Sequence, residues 1–526
     1  MNSKYQTIGL LAATVVFGMI GCTNLDDKVF GNQSALNASN SSSPVEPASA
    51  LQGAYQSLNA LANSQGQTYA LEEHPSDEMM GPTRGTDWDD FGQWRKLHQH
   101  TWDAQHPQLI DAWNTLNTGS FRATQTLSAS GITGQQAAEA RFLRGFFTHY
   151  IVDLWGRVPT RQVSDAPDAN PTVLSRKAAS DYVINDLRSA FNNLAPWAKA
   201  TANRASKEAA AAMLAKMYLN RAVYNQDPAS PAGPFTFAKA DMDSAIYFAN
   251  QVIASAKFSL TPAGKYFDNF HWENDARSTE LIFTISNTTS TQPGSVQNRY
   301  YMTTHYNQYV GGWNGFTTLA DFYNSFEPAD ERRGGSIPDL TPLTGLNAGF
   351  LVGQQFIADT LRRLNPAKDR SGNPLVFTPQ VNLGFATETQ GIRVIKYLPQ
   401  PGAVDKPVND YVFLRYADVL LLKAEAILRG GTDPQGQTPA GIVNSLRASR
   451  NASNLATVDL NALLAERGRE LYWEGWRRQD QIRFGTFLNP VDQRPSRSPA
   501  TAVLFPFPQQ AIDSNPNLAP QNPGYL

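Results

Sequence analysis

The chain has 526 residues, several times a typical domain of ~100–150 residues. It balances 44 Lys and Arg against 46 Asp and Glu for a formal net charge of -2, which excludes both the basic footprint of a duplex-binding protein and the acidic excess that keeps chains unfolded. With 41% hydrophobic, 11% aromatic and 17% charged residues, it is a large globular protein rich in polar aromatics, and collagen, coiled-coil and polytopic membrane architectures are ruled out.

Lys4 precedes a 13-residue apolar run, Ile8 to Ile20, followed by Gly21-Cys22. Such a run is too short for a bilayer core, which needs ~20 helical residues, and it fits an export signal. Cys22 is the only cysteine, so no internal disulfide can form. Its place directly after Gly21 resembles a bacterial lipobox, in which the cysteine is lipidated and becomes the new N-terminus; Met19 stands where Leu is usual. The expectation is a lipoprotein signal peptide over 1–21, lipidation at Cys22 and a flexible tether over 22–50, rich in Ser, Asn and Ala. Two or more lipid chains anchor stably at ~0.8 kcal/mol per buried CH2.

Residues 51–260 read as a helical scaffold. Leu143, Phe147, Tyr150 and Leu154 recur at steps of 4, 3 and 4, one face of a helix. Residues 205–224 are dense in helix formers behind the capping candidate Ser206. Between about 261 and 405 the periodicity fades, Gly, Asn, Thr and Pro rise, and short runs such as Leu281-Ile282-Phe283 predict brief strands in a loop-rich block suited to binding. In 406–526, Leu414, Ala417, Leu421, Ala424 and Leu428 predict a closely packed helix, and the Pro- and Asn-rich tail reads as extended. Ala-rich helices with short connections suggest a mostly α fold of stacked tetratricopeptide-like helix hairpins, although no clean 34-residue repeat is visible.

Two clusters invite a catalytic or metal reading. Glu466, Glu470 and Glu474 share one side of a helix, a spacing that permits a glycosidase acid–base pair. The interleaved Arg467, Arg469, Arg477 and Arg478 instead favour ion pairing, which holds carboxylates ionised. His74, Asp77, Glu78, His98, His100 and His106 lack metal-motif spacing and read as surface polar residues. Neither a catalytic residue, a metal nor a cofactor is expected.

Aromatics carry more information. Trp88, Trp94, Trp102 and Trp113 crowd into one stretch, with Trp88 among Gly85, Asp87, Asp89 and Asp90. Tyr300, Tyr301, Tyr306, Tyr309, Trp313 and Phe316 form a second group, where Gly311-Gly312 and Asn314-Gly315 suggest a turn that projects the Trp313 indole. Both groups read either as ligand platforms or as small loop cores. An indole suits the C–H face of a sugar ring while carboxylates, amides and guanidinium take the hydroxyls. Half-burying ~200 Å² of aromatic surface contributes at most about 2.5 kcal/mol.

RFLRGFFTHYIVDLWGRVPT (141–160), LRYADVLLLKAEAIL (414–428), RGRELYWEGWRRQDQIRFG (467–485) and FPFPQQAIDSNPNLAPQNPGY (505–525) together resemble the signature blocks of the SusD/RagB family, nutrient-binding surface lipoproteins of Bacteroidetes. The resemblance implies four tetratricopeptide-like helix pairs, a glycan-binding face made by loops, outer-membrane localisation and a TonB-dependent SusC-like transporter as partner. It places the ligand site around Trp88 and Trp313, with Tyr309 beside the latter and Asp77, Arg84, Asp89 and Asn314 as hydroxyl partners. Asp26 and Asp27 resemble the acidic signal for surface export in such lipoproteins, or are two solvated acids. The expected function is non-catalytic glycan capture and delivery. The alternatives are a peptide-binding member of the same family and a surface glycosidase.

Overall fold

Helix formation along the chain follows its caps. The structure, a computed structural model, describes residues 46–166 and 168–525; the expected signal peptide, Cys22 and the expected tether up to residue 45 lie outside the described residues. The first helix, α1 (Pro47–Gln56), starts inside the stretch predicted as tether, because Pro47 pre-sets the first helical turn and Leu51, Ala54 and Tyr55 bury against the body. The long helices α2 (Pro107–Leu127), α3 (Gly134–Leu154), α4 (Arg176–Asn193), α5 (Lys207–Tyr224) and α6 (Lys239–Ala254) follow. Thr133 opens α3 with a reciprocal capping box to Gln136. The Ser206 hydroxyl accepts from the Ala209 amide at 3.1 Å and opens α5 where the sequence placed it.

From α2 onwards each helix packs on the next, and α6 packs on α7 (Tyr416–Leu428) across the intervening block. The helical stack therefore closes over a long insertion. α8 (Pro439–Ala448), α9 (Leu460–Leu471) and α10 (Arg477–Arg483) complete it. The fold is mostly α, as in the helical class read from the sequence. Among the described residues, no helix is long and apolar enough to cross a membrane.

Two expectations change at the level of packing. The predicted stripe on α3 is buried, but so is every residue from Phe142 to Leu154. Phe146 meets Phe283 and Phe413 from outside the helical stack, at ring-centroid distances of 5.6 and 5.1 Å. The polar residues this wraps are paired: Arg144 with Asp186 at 2.7 Å and Asp153 with Arg478 at 2.8 Å. The second change concerns Leu414, predicted as the start of a helix. It lies in β2 (Tyr411–Arg415), which pairs antiparallel with β1 (Leu281–Ile285), and the helix starts only at Tyr416. The run Tyr-Val-Phe-Leu has strand propensity, and a waiting partner strand decides the choice. Ala417, Leu421 and Ala424 do face one core, with Ile442, Val443, Leu446 and Leu463.

The insertion carries short strand pairs, among them Ala348–Leu351 with Arg393–Ile395 and Phe356–Ala358 with Leu364–Pro366. Loops occupy most of the rest. The tail is irregular apart from a short helix, Gln509–Ser514, and a 3-10 turn, Pro516–Leu518, and Asn522 clips it by donating to the carbonyls of Trp155 and Phe505 at 2.9 and 2.7 Å.

Candidate functional site

Two loops far apart in sequence are stitched together by backbone. Met80 and Thr317 exchange both backbone hydrogen bonds, at 2.9 and 3.0 Å, and Arg84 and Asp87 do the same across a tight turn with Gly85-Thr86 at its tip, also at 2.9 and 3.0 Å. The turn carries Trp88 back beside Thr83. In the second loop the amides of Trp313 and Asn314 donate to the carbonyls of Tyr301 and Thr304 at 2.6 and 2.8 Å. Asn314, a residue that tolerates left-handed backbone, takes φ 52° there.

The two tryptophans meet. The Trp88 indole N–H donates to the Trp313 carbonyl at 2.9 Å, and the ring centroids lie 6.3 Å apart at 44°. Tyr301 continues the row, 5.5 Å from Trp313. Beneath them lies a buried layer: Phe316 at 4.7 Å and Trp94 at 6.0 Å from Trp88, with His74 wedged against both. Trp313 is 37% exposed and Trp88 is half-buried, so the pair offers a supported aromatic surface to solvent. Gly315 is the condition for this arrangement: a Cβ there would stand 2.4 Å from Cε2 of Trp88.

The other predicted contacts divide. Asp89 is exposed at the edge of the platform and pairs with Arg95 at 2.6 Å. Arg84 is buried, donating through Nε to the Gly315 carbonyl at 3.2 Å and through Nη1 to the Thr387 carbonyl, so it clasps loops from beneath. Burial lowers its pKa to about 9, which leaves it a cation at neutral pH. Asn314 is also buried and accepts from Arg393 at 2.8 Å. Asp77 is gripped bidentately by Arg477 at 2.7 and 2.8 Å, which occupies the oxygens a sugar hydroxyl would need. The half-buried Tyr309 hydroxyl accepts from the Gly402 amide at 2.6 Å. The structure thus joins Trp88, Trp313 and Asp89 at one face, supports them with Arg84 and Asn314, and engages Asp77 and Tyr309 elsewhere.

Sequence reasoning counted Tyr301 in the second aromatic group without placing it in the site, and did not single out a third loop at 382–391. That loop reaches the face through Arg84, and through Arg393, which donates to the Glu388 carbonyl at 2.9 Å. Glu388 also meets His305 at 3.0 Å and pairs with Arg370, whose guanidinium lies 4.3 Å from the Tyr306 ring centre. The stretch GFATETQG gives no composition signal for this; a Phe directly after a Gly was the one available hint.

The histidines predicted at the surface are inside. His74, His98, His100 and His106 are all buried. Burial, reinforced by His98 and His106, lowers the pKa of His74 to about 3. His98, His100 and His106 bond the carbonyls of Asp492, Pro75 and Gln93. Neutral imidazoles pack as flat aromatic bodies, which explains their place beside Trp94, Phe316 and Phe487. Among the described residues, no group of three or more His, Cys, Asp or Glu could hold a metal ion.

The glutamate row is a buried ionic core. Glu470 accepts from Arg415 at 2.6 Å, Arg450 at 2.9 Å and Arg332 at 3.0 Å. Glu466 accepts from Arg332, Arg447 and Arg469, and Glu474 from Lys396 and Arg415. Burial alone would raise the carboxyls of Glu466 and Glu470. For Glu470, however, Arg450, Arg415 and Arg332 outweigh it and hold the pKa well below the usual range, and for Glu466 the arginines led by Arg332 bring it to about 2. A general acid needs the opposite setting.

The structure is a helical-repeat scaffold that displays a solvent-facing aromatic platform on inserted loops. The SusD family model matches residues 384–525, the C-terminal part of the chain. It is 27% identical over 444 residues to "Starch-binding protein SusD" of Bacteroides thetaiotaomicron, covering 75% of this chain and 73% of the relative. It is 24% identical to "SusD-like protein P2" of Formosa agariphila over 77% of this chain and 78% of the relative. The fold matches a SusD superfamily protein from Parabacteroides distasonis (TM-score 0.69, 19% identity, 91% of this chain and 98% of that one). It also matches a structure titled "Laminarin binding SusD-like protein" (TM-score 0.67, 19% identity, 91% and 99%).

Proposed function

We propose that this protein is a surface lipoprotein, anchored to the outer membrane through Cys22, that captures oligosaccharides without cleaving them and passes them to a TonB-dependent SusC-like transporter. The observation that carries the reading is the joined Trp88–Trp313 pair, a rigid apolar surface edged by Asp89 and Arg95. Sugar rings present C–H faces to such a surface and hydroxyls to its rim. Relatives named for starch and laminarin binding support the ligand class. Two half-covered platforms contribute about 5 kcal/mol before ordering costs, so a single site binds at millimolar to high-micromolar strength. Weak capture suits a protein that must release its ligand.

The test is affinity electrophoresis and calorimetry of the soluble form, residues 23–526, against laminarin, soluble starch and other polysaccharides, with the same samples assayed for hydrolysis products. Trp313→Ala lowers affinity about tenfold or more with unchanged helical circular dichroism. Unaltered binding by that variant removes Trp313 from the site, and released reducing ends overturn the non-catalytic reading. For the partner, detergent extraction of the full chain should co-purify a large outer-membrane protein; recovery of the chain alone argues against the transporter.

A further inference from the structure

The two most exposed large apolar side chains among the described residues are Phe91, at 98%, and Phe385, at 85%. Neither contributes packing, yet both are held. Phe91 sits at φ 55° between Asp90 at 40° and Gly92 at 75°, three positions after Trp88 at 62°. Left-handed backbone at bulky residues costs of order 1–3 kcal/mol each. Polar clamps impose it here: the Trp94 indole donates to Asp90 at 2.6 Å, Arg95 to Asp89 at 2.6 Å, and the Gly92 amide to the Asp89 carbonyl at 2.5 Å. On the third loop, Asn382 accepts from the amides of Gly384 and Phe385 at 2.9 and 3.0 Å, and Gln493 accepts from the Leu383 amide at 3.1 Å.

Both rings belong to the neighbourhood of the tryptophan platform. Thr83, beside Trp88 across the tight turn, donates its amide to the Leu383 carbonyl at 3.0 Å and accepts from the Ala386 amide at 2.8 Å, so Phe385 hangs on its backbone. Phe91 is three residues from Trp88, a backbone reach of at most ~10 Å. Arg95 ties the two sides, donating to both Asp89 and Thr83. Asp89 stands between Trp88 and Phe91 in the chain and Arg95 pairs with it, a carboxylate and a guanidinium fit for hydroxyls.

We propose that Phe91 and Phe385 extend the Trp88–Trp313 platform across the Thr83–Trp88 turn, so that the face takes an internal stretch of a polysaccharide chain rather than a terminal sugar. The inference rests on the glycan-binding reading above. Successive sugar rings lie on Trp313, Trp88 and then the phenyl rings, while Asp89 and Arg95 pair the hydroxyls between them. The strained loop is then a preformed arm: its ring is presented before the ligand arrives, which spares the ordering cost of binding.

The experiment measures affinity for a short and a long oligosaccharide of one linkage, laminaribiose against laminarihexaose and maltose against maltoheptaose, with full-length protein and its Phe91→Ala, Phe385→Ala and double variants. The expected result is an affinity for the long ligand about five- to tenfold lower in each single variant, with the short ligand unaffected and Trp313→Ala impairing both. Long-ligand affinity unchanged in the double variant overturns the extension while leaving the tryptophan site standing. Equal loss for short and long ligands also overturns it. So does loss of a co-purifying outer-membrane protein with long-ligand affinity intact, which reassigns the rings to a protein contact. Wild-type protein that binds none of these ligands or their parent polysaccharides overturns the glycan reading and the extension together.

Discussion

Replacing Glu470 by alanine lowers stability by about 3–5 kcal/mol, the usual cost of removing one partner from a buried ion pair. Three fully buried guanidinium groups, Arg332, Arg415 and Arg450, converge on this carboxylate, and none can reach water once it is gone. Glu280 takes part of the charge of Arg415 and Arg450, and Asp330 and Glu466 part of that of Arg332, which keeps the loss finite. Thermal melts should show a transition lower by several degrees; an unchanged midpoint would contradict the arrangement. The same core makes the protein acid-sensitive. The folded carboxyl of Glu466 is held at about 2 against an ordinary 4.5, a depressed value, so its stabilisation is present above pH 4.5 and is lost as pH falls from there through about 2. Denaturant melts across that window should show stability declining with acid.

The second large effect is on binding. Gly315→Ala lowers glycan affinity at least as much as Trp88→Ala, about tenfold, although Gly315 has no side chain to offer a ligand. The added methyl would stand 2.4 Å from Trp88 Cε2 and 2.8 Å from the Met302 carbonyl oxygen, so the indole must leave the face. A double-mutant cycle distinguishes this from general damage. In the Trp88→Ala background, Gly315→Ala should cost little further affinity, because the ring it displaces is already absent. Additive losses would show that Gly315 acts through some other path.

The helices were legible because their signals are local. Ser206 accepts from the Ala209 amide within its own turn, and Ala417, Leu421 and Ala424 keep one face by spacing alone. Leu414 was misplaced because periodicity cannot show that Leu281–Ile285 stands ready to pair with it. The same limit applied to single polar residues. Asp77, Arg84 and Asn314 look like hydroxyl partners in a loop sequence, but Arg477, Gly315, Thr387 and Arg393 claim them from hundreds or dozens of residues away. The histidines read as surface groups because composition does not reveal which polar loops fold inward. Phe385 went unremarked because an exposed aromatic and a buried one have the same letter.

By itself, the sequence determined the helical class, the capped helix starts, the ionic character of the glutamate row and the two aromatic regions, since each depends on neighbours within a turn or on chemistry that burial strengthens. Only the tertiary structure decided that Trp88 and Trp313 share one surface, that Gly315 makes room for the indole, and that a third loop stands beside them. Those facts depend on backbone bonds such as Met80 to Thr317, formed between segments whose approach is set by the closing of the helical stack over its insertion.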